Sequence, residues 1–278
     1  MYKIKTKKFS CYLTKSGYGD KIIKSVAESL NAPLYSATGD IMPGLVFNWG
    51  ILRGGDLIIK TAKKNKRDFM YIDHAYFNAG HAIERPIYRI VRNELQLTTI
   101  NQYSTFSDRF DKLNIKIKPW RKSGEYILIC PPSPATTTFY ELNYDWLAKT
   151  TEIIKQVSDR PIYIRHKPGA MLIDNSKGYA VPAGTMKIVE DTISLDEHLS
   201  KAYAVVTFNS SVAIKAICQG VPVVVDKISA AAPISRTSLL DIEDLLYPDR
   251  EEWLCSLSYG QFYLDEITNR KAWEILNL

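Results

Sequence analysis

Short apolar runs alternate with amphipathic stretches along this chain. Residues 10–14 form a strand-like run. In residues 18–30, Ile22, Ile23, Val26 and Leu30 share one face at helical spacing. Residues 45–48 read as a strand, 55–65 as a helix, and 69–73 as a strand ending in a turn. Residues 86–91 read as extended. From Thr98 a polar and aromatic mix reads as irregular connection. A second series begins near Trp120. Residues 126–130 are a strand stopped by Pro131 and Pro132, residues 142–157 a helix, and Ile162 marks another strand. Residues 186–189 are short and β-like. Ser194, with Glu197 three residues on, predicts a capping box for a helix over 195–202. Residues 204–208 form a buried strand. Val212, Ile214, Ala216 and Ile217 then supply a helix that Gly220 and Pro222 stop, and Val223, Val224 and Val225 begin one more strand. Residues 250–278 read as helical with a break at Tyr259 and Gly260.

Strand and helix alternate in both halves, which predicts an α/β chain of two Rossmann-like units with parallel sheets, facing a cleft. The boundary falls between residues 1–119 and 120–278, the second part carrying the helical tail. Sites in such proteins favour the crevice between units, so the first half would bring one substrate and the second half the other.

Composition narrows the classes. The chain has 278 residues, 46% hydrophobic and 24% charged, as in an ordinary globular protein. No apolar run has membrane-spanning length, and residues 1–15 lack the apolar core of a signal peptide, so neither is expected. Cys11, Cys130, Cys218 and Cys255 lie far apart without metal-like spacing. Three fall in apolar segments and read as core thiols, which fits the reducing cytoplasm. The four histidines show no paired spacing, so no metal or other cofactor is expected. There is no G-K-[ST] phosphate loop and no G-x-S-x-G elbow, which disfavours P-loop and α/β-hydrolase chemistry. The net charge of +6 suits a polyanionic partner. Basic residues cluster at Lys3–Lys8, at Lys60, Lys63, Lys64, Lys66 and Arg67, and at Lys112, Lys116, Lys118, Arg121 and Lys122. Each cluster also reads as a solvated face.

Candidate chemistry sits where strands give way to helices. Asn209, Ser210 and Ser211 follow a buried strand and precede a helix. A helix N-terminus offers unpaired N–H groups and partial positive charge, so two hydroxyls there suit a phosphate. The same residues are also good N-caps, a purely structural role. Upstream, Arg165, His166 and Lys167 end another short strand. In a parallel sheet both turns border one crevice, where ligands bind. In the first half, Asp73 ends a buried strand with His74 beside it. Asp also caps turns. Arg89 shares a strand face with Ile87 and Val91, whereas Arg92 points the other way and reads first as a surface ion pair. The turn from Ser16 to Asp20 follows the first strand. It reads first as a flexible turn capped by Asp20, though its glycines also permit close approach to a ligand.

The second half resembles the donor-binding domain of GT-B glycosyltransferases. His166, Lys167 and Pro168, with Asn209, Ser210 and Ser211 before the helix and the Gly220–Val224 turn, look like the "HP" and "SS" motifs of bacterial sialyltransferases and capsule-type Kdo transferases. Here Lys167 stands between the His and the Pro. The resemblance implies that His166, Lys167, Ser210 and Ser211 hold the donor phosphate, with Arg165 and Asn209 beside them. The first half is similar to phage-encoded glycosyltransferase-like proteins through residues 71–77, Tyr88, Arg89, Arg92 and Asn93. In the tail, residues 251–262, Glu266, Ala272 and Trp273 carry the same likeness.

Together these likenesses imply a GT-B-like, metal-independent, inverting glycosyltransferase using a UDP- or CMP-linked sugar. Asp73 would be the base, with His74 as alternative or orienting group. Read from position, Asp20, Arg89 and Arg92 would contact acceptor or phosphate, and Glu190 with Asp191, after a short strand, the donor ribose. The phage likeness and the charge favour double-stranded DNA carrying 5-hydroxymethylpyrimidines as acceptor, in the host cytoplasm. The alternatives are a surface glycan of capsule or lipopolysaccharide type, and a non-catalytic nucleotide-sugar or DNA-binding protein.

Overall fold

The computed structural model describes residues 8–78, 85–143, 145–166, 186–187 and 193–278. It divides into two compact units, residues 1–97 with 257–278, and residues 98–256.

The first unit is built on β1 (Phe9–Leu13), α1 (Gly19–Leu30), β2 (Leu34–Ser36), β3 (Leu45–Trp49), α2 (Gly55–Lys64), β4 (Phe69–His74) and β5 (Ile87–Arg92). Its sheet order, β2-β1-β3-β4-β5, ends in a strand from the tail, Gln261–Tyr263. The first four strands are parallel, while β5 and the tail strand each run antiparallel to their neighbour. Helix α1 buries Ile22, Ile23, Val26, Ala27 and Leu30 against Cys11, Phe47 and Trp273. Each such large side chain taken from water contributes about 1.5–3 kcal/mol. Gly19 opens α1 because nothing larger fits: a Cβ there would lie 2.1 Å from Trp49 Cδ1.

The second unit has α3 (Asp108–Asp111), β6 (Tyr126–Cys130), α4 (Pro134–Phe139), α5 (Trp146–Val157), β7 (Ile162–Ile164), β8 (Met186–Lys187), α6 (Leu195–Lys201), β9 (Ala202–Thr207), α7 (Val212–Cys218), β10 (Val223–Val225) and α8 (Glu251–Tyr259). Its sheet is parallel throughout, in the order β8-β7-β6-β9-β10. Strand β6 is buried at every position, as its unbroken apolar run requires. Ser194 caps α6 as its sequence predicts, accepting the Glu197 N–H at 3.1 Å. Gly220 ends α7 in the left-handed region at φ +77°, and Val221 N–H closes back on Ala216 O.

The units do not follow the expected division at residue 120. The expected break in the helical tail at Tyr259 and Gly260 leads into a strand, β11 (Gln261–Tyr263), before α9 (Leu264–Thr268) and α10 (Lys271–Ile275). Strand β11 pairs with β5, and Trp273 stacks edge-on against Phe47 at 5.6 Å. The tail therefore completes the first unit. Conversely, residues 98–119 join the second, where Asn101 bonds Ser256 and Lys118 N–H donates to Cys218 O.

Candidate functional site

In the first unit the strand order reverses between β1 and β3. Ligands in open parallel sheets bind outside the carboxyl ends at such a point. That pole gathers the turn after β1, Trp49 at the end of β3, and Asp73 and His74 at the end of β4. Asp73 lies directly across from Arg89 on β5. Arg89 Nη2 donates to Asp73 Oδ2 at 2.8 Å, and Tyr71 Oη donates to the same oxygen at 2.5 Å. The His74 N–H donates to Asp73 Oδ1 at 2.8 Å. Arg89 Nη1 also reaches His74 O at 3.1 Å, and its guanidinium lies 5.5 Å and 5.6 Å from the Tyr71 and Tyr76 ring centres.

Only 8% of Arg89 is exposed. Burial alone would lower its pKa, but the Asp73 charge and the two tyrosines raise it above its ordinary value, so it stays cationic. Burial, then the Asp73 charge, pushes the Tyr71 hydroxyl well up, so it stays a donor. Of the two Asp73 oxygens, Oδ1 has a single backbone donor and keeps a lone pair open. Around His74 is an aromatic group. Its ring stacks on Tyr18 at 6.0 Å and meets Trp49 edge-on at 5.4 Å, while the Tyr18 and Tyr88 hydroxyls bond at 2.8 Å.

Two other expected residues are engaged locally. Asp20 Oδ1 accepts the Thr14 N–H at 2.9 Å, closing its own turn. Arg92 pairs with Asp68 at 2.5 Å on the surface, and that contact with Asn93 holds the Asp68 carboxyl below the usual range. Neither is brought beside Asp73 by any of these bonds.

In the second unit the strand order reverses between β6 and β9. Three turns follow the carboxyl ends there. After β7 come Arg165 and His166, after β6 residues 131–133, and after β9 Asn209, Ser210 and Ser211. Thr207 Oγ1 donates to Cys130 O at 2.7 Å, locking the ends of β9 and β6 together. Tyr140, after α4, packs edge-on against Phe208 at 5.4 Å. Arg165 is buried, and its Nη1 donates to Ile193 O at 2.9 Å. His166 and Asn209 are half-buried. Lys167, Glu190 and Asp191 lie outside the described residues.

The serines of these turns differ. Ser133 is extended, with ψ 157°, and its Oγ caps α4 through the Thr136 N–H at 3.2 Å. Ser211 occupies the same position before α7 but has helical angles, φ −61° and ψ −12°, and makes no cap bond. It is exposed. Ser210 makes only a long contact, 3.4 Å from the Val212 N–H. The Ala213 and Ile214 N–H groups turn back to Ser210 O and Ser211 O. The hydroxyls, rather than a fully open helix end, are therefore what this turn offers a ligand.

Sequence reasoning missed Tyr71, Tyr18, Trp49, Tyr88 and the hydroxyl-rich start of α4. Tyr71 was within reach, since alternation puts it on the Asp73 face of β4. Ser133 followed by Pro134 is an N-cap and N1 pair. Among the described residues no three His, Cys, Asp or Glu side chains converge as a metal site would require, and no helix is long and apolar enough to cross a membrane. A concavity of about 600 Å³, lined by residues 155–160 and Glu243, lies at the amino end of β7, opposite the carboxyl pole.

The structure of the beta Kdo 2,4 transferase KpsC of Thermosulfurimonas dismutans is similar to this chain, with a TM-score of 0.57 over 93% of this chain and 92% of that one, at 12% identity. This chain shares its fold. The expected α/β class with two Rossmann-like units of GT-B type is what the chain adopts. A beta Kdo 2,7 transferase structure of the same KpsC covers 95% of this chain and 99% of its own, at 12% identity and a TM-score of 0.46. No family model and no curated protein sequence matches the chain.

Proposed function

We propose that the chain is a glycosyltransferase that moves a sugar from a nucleotide-linked donor to a glycan hydroxyl. The observation that carries this reading is the turn after β9. An exposed serine at a helix start, with its hydroxyl in no cap bond, stands at the point where the strand order reverses. The fold shared over nearly the whole chain with a transferase of the sugar acid Kdo supports the reaction class. The same likeness favours a glycan over DNA as acceptor.

The reading assigns the donor to the second unit and the acceptor to the first. Asp73 Oδ1 takes the proton of the acceptor hydroxyl as its oxygen attacks the anomeric carbon. The bond from that carbon to the phosphate oxygen breaks, and the nucleotide leaves with the electron pair. Ser210, Ser211, Asn209, His166 and Lys167 stabilise the leaving phosphate, an electrostatic role usually worth more than any other single effect. Arg165, turned to Ile193 O, holds the end of β7 in place. Arg89 and Tyr71 fix Asp73, and His74 with its aromatic neighbours provides a surface for the acceptor ring. Glu190 remains assigned to the donor ribose. A single carboxylate base fits inversion at the anomeric carbon, and UDP and CMP both suit the serine turn.

A second reading keeps this donor chemistry and takes a hydroxymethylated pyrimidine in duplex DNA as acceptor. The basic residues of 60–67 favour it. One assay separates the two. The full chain is incubated with UDP- and CMP-sugars and either oligosaccharides or a hydroxymethylpyrimidine duplex, and the products are weighed. A sugar-sized gain on an oligosaccharide is the expected result. A gain on the duplex alone selects the second reading. Nucleotide binding without any transfer would make the chain a binding module, and absence of both would overturn the proposal.

A further inference from the structure

A surface on the first unit, whose basic residues the DNA reading also draws on, lies outside the residues assigned to the reaction. Helix α2 buries Ile58, Ile59 and Ala62 and turns Leu57, Lys60 and Lys64 to solvent. These three recur at helical spacing, so they form one stripe. Leu57 is 49% exposed, and Leu52, in the turn that feeds α2, is 59% exposed. Leu52 O accepts the Gly55 N–H at 3.0 Å, so this leucine is fixed at the head of the helix. The loop before β3 lies alongside: a Cβ on Gly54 would sit 3.3 Å from Ala37 O. That loop carries Met42, 46% exposed, whose N–H is anchored on Tyr12 Oη at 2.6 Å. Past the leucines the charge is one-sided. Lys63, Lys64, Lys66 and Arg67 are exposed along with Lys60, and Arg53 precedes them. Asp40, Asp56 and Asp68 are the acids nearby, and Asp68 is paired with Arg92.

We infer that this face docks the protein on an anionic lipid surface, Leu52, Leu57 and Met42 entering the interface while the lysines and arginines lie on the headgroups. The inference stands apart from the proposed reaction. Exposed apolar side chains beside basic residues suit such an interface, because binding there grows with the apolar area that enters and with attraction to anionic lipid. Anionic leaflets attract such basic segments, and long cationic side chains extend from an apolar contact toward charge. Duplex DNA would match the cations equally well, but its phosphates give the leucines nothing apolar to enter. Strands β3 and β4 are parallel, so Leu52 stands at the same pole as Asp73. Docking here would hold the acceptor side of the unit near the membrane surface.

The test is sedimentation of the full chain with vesicles of equal parts phosphatidylglycerol and phosphatidylcholine, with vesicles of phosphatidylcholine alone, and retention on an unmodified DNA duplex. The chain should sediment with the anionic vesicles only, and raised salt should release it. Leu52→Ser with Leu57→Ser should weaken vesicle binding at least tenfold, and so should Lys60→Glu with Lys64→Glu. Leu240→Ser, at a residue 62% exposed in the second unit, should bind as the parent does. No sedimentation on anionic vesicles, retention on the duplex alone, unchanged binding by the leucine variant, or an equal loss with Leu240→Ser would each overturn the inference. All these leucines are exposed, and a circular dichroism melt matching the parent confirms that each variant is folded.

Discussion

The carboxylate at the carboxyl pole of the first sheet and the Ser211 hydroxyl at that of the second are held in different ways. In the first unit the expected carboxylates already have partners: Asp73 has Arg89, Tyr71 and the His74 N–H, and Asp20 has the Thr14 N–H. In the second unit the Ser211 hydroxyl stands at a cap position without capping. The contrast separates two uses of a strand end. A network of charges fixes one carboxylate in a single orientation, whereas the Ser211 hydroxyl is held by no cap bond.

The largest effect should come from breaking the network. Arg89→Met removes a buried cation and leaves Asp73 and Tyr71 facing each other, which should cost about 3 kcal/mol in urea unfolding. A loss of under about 1 kcal/mol would mean that the pair is already opened to water. Alkali should next act on both units alike. Burial raises Cys11, Cys130 and Cys218 to about 12 from an ordinary 9.0, and raises Tyr76 and Tyr126 to about 12 from 10.0. These groups stay protonated in the folded chain while the unfolded chain ionises. Stability should therefore fall steadily as pH climbs from about 9 toward 12. A flat stability profile over that window would contradict their burial.

Smaller effects sharpen the contrast between the serines. Ser133→Ala should cost about 1 kcal/mol, the usual worth of an N-cap, and Ser211→Ala should leave the unfolding midpoint unchanged. Equal losses would make both serines caps. Least of all, Arg92→Ala should cost about 0.5 kcal/mol or less, because its pair with Asp68 is half-exposed.

How much of this could be read from the residues follows from the range of the forces involved. Strands β6, β9 and β10 are unbroken apolar runs, and α1 repeats its apolar face at helical spacing, so each was legible locally. Strand β11 was not. Gln261, Phe262 and Tyr263 sit within a helical pattern, and only the free edge of β5, some 170 residues upstream, makes them a strand. The same long-range pairing moved the tail into the first unit. At the site Arg89 is buried and Arg92 exposed, but both faces of β5 are covered and Arg92 is open because it ends the strand, which is more than alternation tells. Alternation could not reveal that Arg89 and Asp73 would meet, because their register is set by the antiparallel pairing of β4 and β5. Nor does composition distinguish Ser133 from Ser211. The difference lies in one backbone angle, 157° against −12°.

The most direct test of the account is calorimetric titration of CMP and UDP into the parent chain, Ser211→Ala and Ser133→Ala. If the turn after β9 holds a nucleotide phosphate, the parent should bind one of the two nucleotides. Ser211→Ala should bind it about tenfold more weakly, roughly 1.4 kcal/mol, with its stability intact. Ser133→Ala should keep its affinity while losing stability. An affinity untouched by Ser211→Ala would contradict the account.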